Sequence, residues 1–589
     1  MKPVSQKAAL SAAFFTCAKA MIYHQSPMNT PSPAIISDLA VRRMPRYWLM
    51  LLCLVYVFIG VFDRGPWKSM DLTSLGYMLS LVNHQSDIFH LQLAGIPPEL
   101  DALLPYWVGM FAIQTLVILP PDMAARLIYS LLSLLGMFCL WQGIYFLARN
   151  PHAQPVAFAF GGEANPKDYP RAIADGGLLA YIACLGLALP SHEITPMAMQ
   201  LQLVCILFAS SACMQFYPQR GLAGICLSSL LLALSGAPSL AMFLIAGIGY
   251  MWHQNPQSKR WQTWSLICTL MLMVGMSFYL QLWHWRLVSF FQLMTKFNEI
   301  IELMLWFLWP AWPMAGWTLW KWRGHWRSQI WTQHLTLPVF LFLITLLASM
   351  LTFNPDRTLL LVLPSISALA AFSLPTLRRS VAALIDWFTL IFFTTCAVAI
   401  WGVWLSLETG IPAQPARNVY RLVPGYEYEF NALSLAIATV ISLIWIRVIL
   451  WRIGRHPSAI WKSLVLPATG AVVCWVLLMT LWLPFVDHAM KYKAWTKQLK
   501  QTIGDEKCLA FTRLDRHQIA GFHFHGKFDF KPHHQDHSCN YLIEKPYSHH
   551  DDSEDIDTNQ WLYLKTIQRP GDKSDTVNIF ERIKPSKHE

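Results

Sequence analysis

The stretch "FDRGPWKSMD" (62–71) gathers Asp63, Arg64, Lys68 and Asp71 around Trp67, directly behind the apolar run "YWLMLLCLVYVFIGV" (47–61). Two carboxylates and two cations where a membrane-crossing helix reaches the surface suit one kind of chemistry. A carboxylate in a partly dehydrated cleft can take the proton of a hydroxyl nucleophile. Arginine and lysine can bind an anionic group, Arg through two parallel hydrogen bonds. Asp71 is the leading candidate base, with Asp63 behind it. The plainer role for Asp71 is to cap the helix "DLTSLGYMLSLV". Pro66 should stop the first helix and Trp67 should anchor the segment at the interface.

The elements that must position these residues are membrane helices. The chain has 589 residues, 55% hydrophobic and only 13% charged, with 27 Trp. A soluble domain would carry roughly a quarter charged residues. Fourteen apolar segments follow one another at roughly 47–63, 104–120, 125–147, 176–190, 197–216, 220–235, 237–252, 263–283, 301–321, 335–352, 358–375, 382–405, 430–451 and 463–485. The net charge of +11 does not point to nucleic acid. Its Lys and Arg collect in short loops between apolar runs, such as "HQNPQSKR", "KWRGHWR" and "WRIGRHPSAIWK", as cytoplasmic loops do. All basic loops fall on one side if 104–120, with Pro105 and a terminal "PPD", stays juxtamembrane. The expectation is then an all-α polytopic membrane protein of about 13 spans, N-terminus cytoplasmic and C-terminus on the outer face.

Three regions follow from this layout. Residues 1–43 read as a disordered, dispensable extension, 44–486 as the multi-span domain, and 487–589 as a small α/β domain on the outer face. Within the second, 64–124 forms the first outer loop with its juxtamembrane helices. The tail shows β-type runs, "CLAFTRL", "NYLIEK", "WLYLKTIQ" and "TVNIFERI", the last two joined by the turn-rich "RPGDKSD". Cys508 and Cys539 are the only cysteines there and suit a disulfide in an oxidising compartment. The clustered His of "HFHGKFDFKPHHQDH" and "HHDDSED" lack zinc-type spacing and are not read as a metal site.

The layout resembles the C-type membrane glycosyltransferases, closest to the bacterial relatives of protein O-mannosyltransferase and lipid A aminoarabinose transferase. Arg64, Gly65 and "MD" (Met70, Asp71) are similar to that family's R-G-x-x-x-x-D-E. The segment from Gly95 to Tyr106 and Trp107 aligns with its second motif, with "LDAL" replacing E-K-P-P and Asp101 standing near the missing Glu. "LALSGAPS" resembles the L-T-K-G-P turn, with Gly236 where Lys is usual, and "NPDRTLLLVLP" resembles the arginine followed by a Leu-Pro run.

The resemblance implies transfer of a sugar from a polyprenyl-phosphate-linked donor to an envelope glycan, lipid or protein acceptor at the outer face. It places Arg357, Lys296 and Arg64 as donor-phosphate ligands, and His192 and Glu193 where relatives carry a further acidic residue. It makes no cofactor certain and leaves a divalent cation open. The alternative is a catalytically degenerate relative that binds the lipid or scaffolds an envelope complex.

Overall fold

The computed structural model describes residues 32–62, 64–67, 69–283, 294–295, 297–324, 333–352, 355–454, 459–533, 539–546, 556–557, 559–569, 571–572 and 574–583. Prolines punctuate the chain: helices Pro121–Ala148, Pro196–Cys213, Pro218–Leu234 and Pro238–His253 all begin on one. A first helical residue needs no N–H partner and its φ is already near −65°. Among the described residues, eight helices are long and apolar enough to cross a membrane. They become nine if Tyr169–Ala183 and Leu185–His192, bent by 65°, count as one span. By length alone this falls short of thirteen. Several apolar runs form helices below the ~20 residues that span hydrocarbon, among them Arg46–Phe58 with 13 residues and Pro238–His253 with 16. The 301–321 run breaks into Phe297–Phe307 and Ala311–Lys321.

Helix Leu104–Thr115 has only 12 residues. Just before it, the Leu103 N–H donates to Leu234 O at 2.9 Å. Just after it, Arg126 of helix Pro121–Ala148 donates to the Arg64 carbonyl. The chain therefore enters and leaves this helix at the end of the bundle that holds the opening motif.

The opposite end corrects the reading of 1–43 as an extension standing apart. Residues 32–43 are packed: Ala34, Ile36 and Val41 are buried, and Ser37 bridges to Glu163. Arg43 pairs with Asp168 and the Trp461 indole donates to Arg42 O at 2.8 Å. Arg42 and Arg43 thus share one face with Asp168 and Trp461. Residues 1–31 lie outside the described set.

The C-terminal region carries a five-stranded sheet, ordered β2-β1-β3-β5-β4, from β1 (Cys508–Thr512), β2 (Asp529–Pro532), β3 (Tyr541–Glu544), β4 (Trp561–Gln568) and β5 (Thr576–Arg582). The four β-type runs are strands, and "DFKP" adds β2, hidden within the His-rich stretch. β1 pairs in parallel with β2 and β3, whereas β5 is antiparallel to β3 and β4. Cys508 and Cys539 are joined by a disulfide, Cα atoms 5.3 Å apart, linking β1 to the approach to β3.

Helix Arg516–Gly526, the β1-to-β2 crossover, sits on helix Met70–Val82 so closely that a Cβ at Gly76 would lie 2.7 Å from the Ala520 methyl. One hydrophobic cluster runs from Leu75 and Tyr77 to Phe522. The sheet domain therefore rests on the helix that begins with Asp71.

His525, on the crossover helix, is pulled down to a pKa of about 4, chiefly by burial and then by Lys491 and Lys493, with Asp487 opposing. A folded-state pKa below the ordinary 6.5 favours neutral imidazole. Between pH 6.5 and 4 the unfolded chain takes up a proton that the fold excludes, so stability falls as pH falls through that window. The unfolding temperature of the purified protein should drop more steeply across it than that of His525→Gln; parallel profiles would contradict this.

Candidate active site

Arg64 follows helix Arg46–Phe58 and has a side chain with no exposed surface, as has Asp71. Arg64 Nη2 donates to Asp71 Oδ2 at 3.1 Å and to His192 O at 3.2 Å. The guanidinium also lies 4.7 Å from the Trp67 ring centroid. Its Nε and Nη1 have no hydrogen-bond partner among the described residues. Asp71 accepts two further bonds, from Trp67 N at 3.2 Å and Ile194 N at 2.8 Å. It sits in the first turn of Met70–Val82, and the cap position is Ser69. Neither sequence expectation for Asp71 matches this geometry. Its carboxylate is neither a cap nor open to a cleft, because it answers a buried guanidinium. Trp67 is likewise buried, its indole donating to Asp487 Oδ1 at 3.0 Å, so it does not anchor the segment at the interface.

One residue from Ile194, Glu193 holds Arg357 through two bonds, Nε to Oε2 at 2.9 Å and Nη2 to Oε1 at 3.0 Å. This fork-to-fork geometry is the strong form of the pair. Arg357 also meets Asp356 at 2.6 Å and keeps 18% of its side chain exposed. Its neighbour Thr358 lines a cavity of about 300 Å³. The cavity floor is apolar, including Phe243 and Leu347, while Glu99, Asp101 and Gln200 supply polar wall. Two of the motif segments meet here. Gly236, at φ +86°, packs against Ala102 so that a Cβ would lie 3.0 Å from the Ala102 methyl, and Gln200 donates to Ser235 O at 2.8 Å. Glycine suits this turn for its left-handed backbone and for the close approach.

The other sequence candidates divide. Asp101 is in the cavity wall. His192 is not: its ring lies between Tyr56 O at 2.8 Å and Ala188 O at 2.5 Å, with its centroid 4.6 Å from that of Trp475. Tyr106 is buried against Tyr77, and Trp107 donates to Ile88 O at 2.9 Å, so both pack the 77–107 region without lining the cavity. Asp63, Lys68 and Lys296 lie outside the described residues.

Sequence reasoning missed Glu99, Arg126 and Asp487. The last two were detectable as charges inside or ending long apolar runs, which are rare without a purpose. Among the described residues no three His, Cys, Asp or Glu side chains group as metal ligands. The oxygens of Asp71 accept from Arg64 and two N–H groups, and those of Glu193 from Arg357.

This architecture is that of the C-type glycosyltransferase fold. ArnT from Cupriavidus metallidurans has it, in a crystal structure bound to undecaprenyl phosphate, at a TM-score of 0.55 and 13% identity over 91% of this chain and 98% of that one. Its apo structure gives 0.54 at 13% identity, over 91% and 97%. An Archaeoglobus fulgidus oligosaccharyltransferase is more remote, at a TM-score of 0.37 and 10% identity over 81% of this chain and 63% of that one. No family profile matches the sequence. No curated protein matches it either.

Removing one partner of a buried ion pair leaves the other charge stranded, which typically costs about 3–5 kcal/mol. Asp71→Ala should show a loss of that order, against about 1 kcal/mol for a lost cap. The double replacement Arg64→Met with Asp71→Leu should recover much of it. Denaturant unfolding in detergent reads the difference, and a loss near 1 kcal/mol for Asp71→Ala would return the residue to a capping role.

Proposed function

We propose that this protein transfers a sugar from a polyprenyl-phosphate-linked donor to a cell-envelope acceptor at the outer face of a bacterial inner membrane. The observation that carries the reading is the Glu193–Arg357 pair beside a largely apolar cavity, on a fold shared with a protein crystallised with undecaprenyl phosphate. An apolar slot suits an isoprenoid chain. A partly exposed arginine next to it suits the phosphate, which must leave with its negative charge stabilised.

In this reading Glu193 orients Arg357 and Arg357 receives the phosphate. Asp101, in the cavity wall, is the carboxylate placed to take the acceptor proton. Asp71 acts from behind by holding Arg64. Arg357→Lys keeps the charge but loses the two-pronged grip, and is expected to raise the donor KM about tenfold, in line with one lost charge-assisted bond. Loss of a general base costs about 100- to 10,000-fold in rate, so Asp101→Asn should lose kcat on that scale with normal unfolding. A loss of that size in Asp71→Asn protein of normal stability would instead give the base role to Asp71. Lipid binding without transfer from any donor would favour a scaffold.

The topology belongs to the same reading: thirteen traverses, with Leu104–Thr115 staying at the outer end. Support comes from the contacts of Arg43 with Asp168 and of Arg42 with Trp461 at the end away from Asp71. Basic faces lie toward the cytoplasm. A cysteine placed at the exposed Asn559 should then react with an impermeant thiol reagent from the periplasm. Labelling only from the cytoplasm would reverse the orientation.

A further inference from the structure

Asp487 touches neither the cavity nor Arg357, yet it grips the loop that carries the buried ion pair. It lies in helix Leu483–Met490 and is 8% exposed. Its Oδ1 accepts two bonds from the first outer loop, Gly65 N at 2.8 Å and the Trp67 indole at 3.0 Å. Its Oδ2 pairs with Lys491, one helical turn on. The Lys491 chain crosses Gly65 so closely that a Cβ there would lie 1.9 Å from Cε. Arg64 precedes Gly65 and lies over the Trp67 ring, and Trp67 N is bonded to Asp71. A single carboxylate oxygen therefore fixes both residues flanking Pro66, between the two members of the ion pair.

We infer that Asp487 is a positioning residue, which holds the Arg64–Asp71 loop in its working geometry from the C-terminal side of the chain. The inference rests on the transfer reaction proposed above. Hydrogen bonds to a carboxylate are about twice as strong as neutral ones, and a loop displaced by about 1 Å can cost 100-fold in rate without altering what binds. The chemical demand on residue 487 is for an oxygen that accepts two N–H groups. Asparagine retains such an oxygen and alanine does not.

The test compares Asp487→Ala, Asp487→Asn and wild type in full-length protein, with a synthetic polyprenyl-phosphate sugar as donor. Asp487→Ala is expected to lower kcat about 100-fold with the donor KM changed less than about twofold, and Asp487→Asn to recover most of the rate. Amide hydrogen exchange across 64–71 should speed up in the Ala variant only. Should that variant fail to fold, Trp67→Phe removes one of the two bonds and should show the same kcat-only loss on a smaller scale. Wild-type kcat in the Ala variant overturns the inference. So does an equal loss in both variants with unchanged exchange at 64–71. If wild type transfers no sugar, the transfer reading fails separately, and exchange alone decides: faster at 64–71 in Ala but not Asn supports the grip, and unchanged exchange removes it.

Discussion

A guanidinium with no exposed surface is the constraint around which this end of the molecule is built. Removing Arg64 from water carries a desolvation penalty of several kcal/mol, which only close partners can offset. Two of those partners are close in the chain, the Asp71 carboxylate and the face of the Trp67 ring, and the third, the His192 carbonyl, comes from far along it. Because Asp71 also accepts the Ile194 amide, one ion pair stitches the exit of helix Arg46–Phe58, helix Met70–Val82 and the 190–195 turn together. None of the three can shift without exposing or stranding a charge.

That stitching decides where the second ion pair stands. Glu193 is adjacent to Ile194, so the bond from Ile194 to Asp71 places Glu193 where it can hold Arg357 at the cavity edge. Charge is thereby graded across a short distance. Arg64 and Asp71 are sealed, Glu193 is nearly so, and Arg357 keeps a surface that a ligand can reach. The sealed pair is suited to set geometry and the open arginine to meet an anion.

The sheet domain is part of the same arrangement. Helix Arg516–Gly526 lies on Met70–Val82 with Gly76 against Ala520, and Asp487 reaches back to Gly65 and Trp67. The 64–67 segment is thus held between the helical bundle and the C-terminal domain. Without a side chain at residues 65 and 76, two elements can approach where any larger residue would force them apart.

The amino-acid order by itself determined the class of this protein, because hydrophobic length and period-two alternation are local signals. Twenty-residue apolar runs must hide their backbone in helices within a bilayer, and runs such as "WLYLKTIQ" and "TVNIFERI" carry strand propensity wherever they fold. Arg357 and Glu193 were legible as charges at the ends of apolar segments, but their pairing with each other was not. Other features were not. β2 is four residues inside a His-rich stretch and exists because β1 offers it a parallel edge. The packing of 32–43 follows from the 148–168 loop lying beside it. Asp71 and Trp67 have the same local signature whether they meet water or protein. What buries them is a guanidinium seven residues from Asp71 and a carboxylate 420 residues from Trp67. Propensity acts between neighbours in the chain, whereas desolvation is settled by neighbours in space, so only the tertiary structure could decide which charges would be sealed and which would face the cavity.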